Sequence, residues 1–80
     1  MYQIELWQRS FWQKNTRFYT VELCQNLFGD WIVKKTWGSA VSLDFGRSNS
    51  VVCSDYQCGL EEYQKQQIRR QVRGYEFLSI

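Results

Sequence analysis

Polar and apolar residues alternate along most of the first two thirds of the chain, and the period changes near residue 54. In YQIELWQ, residues 2–8, Tyr2, Ile4 and Leu6 share one face and Gln3 and Glu5 the other, until Trp7 breaks the pattern. That period of two predicts a half-buried strand. RSFWQKN, residues 9–15, is polar around Phe11 and Trp12 and is expected to form a loop. RFYTVELCQ, residues 17–25, alternates again, with Tyr19, Val21 and Leu23 on one face and Phe18, Thr20, Glu22 and Cys24 on the other. Its β-branched and aromatic content predicts a second strand. NLFGD, residues 26–30, is turn chemistry: Gly29 allows a positive φ, and Asp30 can bond back to the backbone. A third strand follows in WIVKKTW, with Trp31, Val33, Lys35 and Trp37 opposite Ile32, Lys34 and Thr36; Gly38 and Ser39 end it. Val41, Leu43 and Phe45 alternate, GRSNS at 46–50 reads as a loop, and VVC at 51–53 as a short strand.

From Ser54 the period is helical. Ser54 and Gln57 are spaced as a capping box, and a helix of about seventeen residues is expected to follow. Glu61 and Glu62 lie in its first half and Arg69, Arg70 and Arg73 near its end, an order that complements the helix dipole. Tyr56, Leu60 and Tyr63 make one apolar stripe, which breaks at Gln67; Ile68 and Val72 make another, rotated around the axis. Gly74 is placed to terminate the helix, and YEFLSI adds a last strand or a strap. With no proline, linker or repeat, this order predicts one small α+β domain: a mostly antiparallel sheet with one helix packed on it.

Composition narrows the picture. An 80-residue chain builds a thin core. Four Trp, five Tyr and five Phe supply bulk for it, since each large ring buries about 150–250 Å². Phe18, Tyr19, Trp31, Tyr56, Leu60 and Tyr63 are the expected core. The net charge of +2 is mildly basic, compatible with nucleic-acid or protein partners alike. Three cysteines, Cys24, Cys53 and Cys58, do not close a disulfide framework, and without histidine no common zinc pattern arises. No metal or other cofactor is expected. Neither a signal-like segment nor an apolar run of about 20 residues is seen, so no membrane span is expected. Free thiols point to a reducing, cytoplasmic setting.

Little in the chain suggests catalysis. Without histidine no Ser-His or Cys-His nucleophile can be assembled, and Glu61 and Glu62 point about 100° apart on a helix. No small-molecule site is evident and no enzyme is expected. Binding has more support. Trp37 beside Lys34, Lys35 and Arg47 combines a ring that can stack on a base with cations that neutralise phosphates. The plainer reading is a half-buried indole and a solvated basic edge. Arg69, Arg70 and Arg73 can grip phosphates, or only complement the dipole. Trp7, Phe11 and Trp12 fall within six residues, either as an exposed patch for a protein partner or second copy of the chain, or as a loop folded over the core.

Several pieces occur in the order of a known family. TRFYTVEL at 16–23, GDWIVKKTWGS at 29–39 and RGY at 73–75 together resemble the WGR domain, including its small stand-alone bacterial type. The resemblance spans residues 2–78. It implies a mostly antiparallel sheet with one helix and, by analogy with poly(ADP-ribose) polymerases, contact with DNA. The family's Trp role falls on Trp37 and its Gly on Gly38. The Arg position is held by Ser39, which has no guanidinium, and Ala40 and Val41 replace the hydrophobic-Gly pair that usually follows.

Overall fold

Four strands follow one another in chain order, and a fifth returns beside the first. The structure, a computed structural model, describes residues 2–39 and 46–79. The strands are β1 (Gln8–Lys14), β2 (Arg17–Gln25), β3 (Trp31–Ser39), β4 (Arg47–Cys53) and β5 (Glu76–Ser79), and one helix, α1 (Tyr56–Val72), precedes β5. They form a five-stranded sheet in the order β4-β3-β2-β1-β5, with every neighbouring pair antiparallel. The helix crosses one face, so the fold is α+β, as the chain's periodicity predicts.

Alternation places the core. Tyr19, Val21 and Leu23 of β2, Trp31 and Val33 of β3, Trp12 of β1 and Cys53 of β4 are buried under α1, where Tyr63 meets them. Phe18, expected in the core, belongs to the open face, packed where a side chain on Gly38 would otherwise stand. The hairpin turn forms as expected around Gly29 (φ 83°). Its side-chain bonds come from Asn26, however: Oδ1 accepts from the N–H groups of Phe28 and Asp30 at 2.9 and 3.0 Å.

Three local expectations are corrected. Residues 2–8 are not a strand: Ile4–Leu6 form a short 3-10 helix, tied down where Gln25 Oε1 accepts from the Gln3 N–H at 2.6 Å. Residues 9–15 are not a loop: β1 pairs along its whole length with β2. Its polarity misled because its inward Ser10 is a hydroxyl in the core, donating to Gln67 Oε1 at 2.6 Å. Ser48, Asn49 and Ser50, read within a loop, are strand residues; β4 is an exposed edge and tolerates a polar sequence. The alternating Val41, Leu43 and Phe45 lie outside the described residues.

The helix has the expected length of 17 residues, but starts one residue later than the Ser54–Gln57 box implies. Asp55 is the N-cap, accepting from the Cys58 N–H at 2.8 Å. The packed stripe is Gly59, Tyr63, Gln66 and Arg70, spaced four, three and four residues apart. Tyr56 and Leu60 flank it, whereas Ile68 and Val72 face solvent. A Cβ on Gly59 would stand 2.9 Å from Leu23 Cδ1, so the missing side chain lets the helix approach the sheet. The helix ends as predicted at Gly74 (φ 84°), in a Schellman motif: the Tyr75 N–H donates to the Arg70 carbonyl at 3.0 Å and the Gly74 N–H to the Gln71 carbonyl at 3.1 Å.

Candidate nucleic-acid interface

The end of α1, the β1–β2 turn and the Trp37 end of β3 meet at one rim. Tyr19 of β2 sits directly between Trp12 of β1 and Trp37 of β3 in the strand register. Its ring lies nearly parallel to the Trp37 indole, with centroids 5.9 Å apart and 15° between planes. The Schellman turn folds Tyr75 back onto the same ring, edge to face at 5.9 Å and 70°. Arg70, on the helix face that meets the sheet, holds its guanidinium carbon 3.9 Å from the Tyr19 ring centre and 5.1 Å from that of Tyr75.

This geometry makes Arg70 unusual. It is 6% exposed, and Nε is buried with no hydrogen-bond partner. Ring faces attract the cation but accept none of its N–H bonds in the sense a carboxylate would. The Tyr19 phenol beneath it is pushed up in pKa by burial, with the Arg70 charge pulling it back down.

Three shallow depressions adjoin here and share residues. One, of about 410 Å³, is lined by Tyr19, Lys35, Trp37, Asn49, Arg70, Arg73 and Tyr75. A second, of about 210 Å³, lies between Arg17, Phe18, Trp37, Gly38, Ser39 and Tyr75. The third, of about 410 Å³, is lined by Lys14, Asn15, Thr16, Arg17, Arg73 and Tyr75. Among the described residues, no carboxylate appears in any of the three linings. Lys14 also donates from Nζ to the Arg73 carbonyl at 2.8 Å, pinning the helix end to β1.

The residues singled out from sequence divide as follows. Trp37 is half-buried, and it neither disappears into the core nor stands free. Lys35 is on its face, and Arg47 pairs with it directly across β3–β4. Arg70 and Arg73 line the depression shared with Tyr19 and Trp37, while Arg69 is exposed at the neighbouring helix position. Lys34 is corrected: strand parity turns it to the opposite face, where Glu22 is its register partner. Sequence reasoning missed Tyr19 as a ring floor, Tyr75, Lys14, Arg17 and Asn49. The glycine after the helix was the available signal for Tyr75, because a Schellman turn returns the next residue toward the helix it ends.

The patch of Trp7, Phe11 and Trp12 is also corrected. Trp12 is 7% exposed in the core, donating from Nε1 to Gln67 Oε1 at 3.0 Å. Phe11 is on the open face beneath the Arg9 guanidinium, and Trp7 lies at the sheet's other end, donating to Gln25 Oε1 at 3.3 Å. Adjacent residues of a strand point to opposite faces, so Phe11 and Trp12 cannot make one surface.

Among the described residues, no helix is long and apolar enough to cross a membrane. The chain matches no protein-family model, no curated protein and no solved structure.

Proposed function

We propose that the chain is a small, non-catalytic nucleic-acid-binding module of WGR type, which contacts its ligand at the rim where α1 ends. One observation carries this reading. Six of the chain's ten Lys and Arg residues, namely Lys14, Arg17, Lys35, Arg47, Arg70 and Arg73, gather around Trp37 and Tyr75, with no carboxylate among the described residues of the linings. Clustered cations attract phosphates, and neighbouring rings give bases a surface to stack on. The WGR resemblance supports the same rim, because its Trp and Gly positions fall on Trp37 and Gly38. Ser39 in the Arg position moves the cationic role to residues outside the motif, chiefly Arg70 and Arg73.

Fluorescence anisotropy with labelled DNA at two salt concentrations tests it. If three or four phosphates are neutralised, log K falls with log salt at a slope of about −2 to −4. Absence of binding at low salt, or binding indifferent to salt, overturns the proposal.

Protein contact is the second reading, and a different observation favours it. Leu27 and Phe28 are 90% and 88% exposed on the tip of the β2–β3 turn, which Asn26 holds rigid. Large apolar side chains so presented suit a partner's apolar pocket. Leu27→Ser with Phe28→Ser is expected to abolish such a contact and leave DNA binding unchanged.

A further inference from the structure

We propose that the ligand of this rim is single-stranded nucleic acid, with an unpaired base against Trp37 and its phosphate on Arg70 and Arg73. The inference rests on the nucleic-acid reading above and specifies the form of the ligand.

Arg70 supplies the first argument. Arg70 is 6% exposed, its Nε is buried without a partner, and two ring faces are the nearest groups that stabilise its charge. Buried charges are ordinarily paired. Among the described residues no carboxylate lines the depression in front of it, which leaves room for an anion from outside. Arg73 and Lys35 line the same depression and bring two further cations to that anion.

Shape supplies the second. The depression in front of Arg70 measures about 410 Å³, near the lower end of the roughly 300–1,000 Å³ of small-ligand pockets. That admits one base or one sugar-phosphate unit.

The rings supply the third. Arg70 covers the face of Tyr19, while Trp37, its ring nearly parallel to that of Tyr19, lines both depressions that also include Tyr75. In a duplex the faces of the bases are already stacked, and only unpaired or splayed bases offer them to a side chain. The smaller depression continues past Trp37 to Arg17, giving the neighbouring nucleotide a place on the same track.

The test compares a labelled single strand of about twelve nucleotides with the blunt duplex of the same sequence, at one low salt concentration. The single strand is expected to bind at least ~10-fold tighter. Trp37→Ala is expected to weaken it by about 10-fold, the order of one lost base-stacking contact. Arg70→Lys keeps the charge but loses the planar fork, and is expected to weaken single-strand binding several-fold with an unchanged circular dichroism spectrum. Should Arg70→Lys fail to fold, Arg73→Gln reports on the same depression from an exposed position. Equal or tighter salt-dependent binding of the duplex overturns this inference and leaves the nucleic-acid reading standing. Loss of binding to both ligands overturns both. A single-strand preference untouched by the Trp37 variant and by both arginine variants places the contact elsewhere and overturns the inference alone.

Discussion

Gly59 sets the distance between helix and sheet, and a pair of substitutions at one contact tests that claim. An Ala there would place its Cβ 2.9 Å from Leu23 Cδ1, where carbon atoms in good contact sit about 3.5–4.0 Å apart. Leu23 is fully buried, so its methyl has little room to retreat. Overpacking of this kind costs about 1–3 kcal/mol. Against it stands about 1 kcal/mol gained when Ala replaces Gly inside a helix. Gly59→Ala alone is therefore expected to destabilise the protein by about 1 kcal/mol. Leu23→Val withdraws the δ-methyl groups at a cost of about 1 kcal/mol. In that background the overlap is gone, only the helix-propensity gain remains, and Gly59→Ala is expected to stabilise by up to about 1 kcal/mol. The coupling between the two sites is then about 2 kcal/mol, well above the ~0.5 kcal/mol scatter of independent sites. Four urea titrations measure it, against a total stability of about 4–12 kcal/mol for 80 residues. The reasoning is refuted if Gly59→Ala has the same effect in both backgrounds. The outcome bears on the rim as well: Arg70 lies on the stripe that begins at Gly59, about 16 Å along the axis, and a lifted helix would draw its guanidinium off Tyr19.

The helix start gives a second contrast: Asp55→Ala is expected to cost about 1 kcal/mol, while Ser54→Ala stays within about 0.5 kcal/mol, both read by thermal melting. For pH, the groups with resolved shifts, Tyr19, Cys24, Cys53 and Tyr63, are all raised, each chiefly by burial. Their unfolded forms release protons first, so stability is full below about pH 8.5 and falls as pH rises toward the folded values. Cys53 is pushed up to about 11; a Tm at pH 10.5 equal to that at pH 8 would contradict the burial of these groups. At pH 8 a thiol reagent is expected to modify exposed Cys58 well before buried Cys53, a sequence that mass spectrometry of digested samples resolves. On the binding side, Lys35→Glu is expected to weaken DNA binding about 10-fold and Lys34→Glu, on the opposite face, less than about 2-fold, by anisotropy at one salt concentration.

The legible parts of the fold are those where burial and periodicity agree. β2 and the first half of β3 alternate with large apolar residues inward, and sequence and structure coincide there except at Phe18, which the sequence placed in the core. They part where polar residues face inward. β1 looked like a loop because Ser10 occupies a core position, and its partner Gln67 is 57 residues away, a pairing no local pattern contains. The helix stripe looked broken for the same reason. Two of its four sheet-facing residues are Gln66 and Arg70, so a search for apolar spacing selected the flanks Tyr56 and Leu60 instead.

The same cause hid the middle of the candidate site. Trp37 and Lys35 share a face by strand parity, which counting fixes, whereas Arg47 fell in a stretch read as a loop and joins them through the β3–β4 register. Arg70 could be named from sequence only as one of three basic residues ending a helix, a pattern that dipole complementation explains equally well. What separates it from Arg69 is one helical step, about 100°, which turns Arg69 to solvent and Arg70 onto two aromatic rings. Stability alone would put an apolar side chain at position 70, since a Met or Leu there would fill the space above Tyr19 without stranding a buried N–H such as that of Nε. A cation held in that place, among rings and other cations, is what the proposed phosphate contact requires and what packing alone does not.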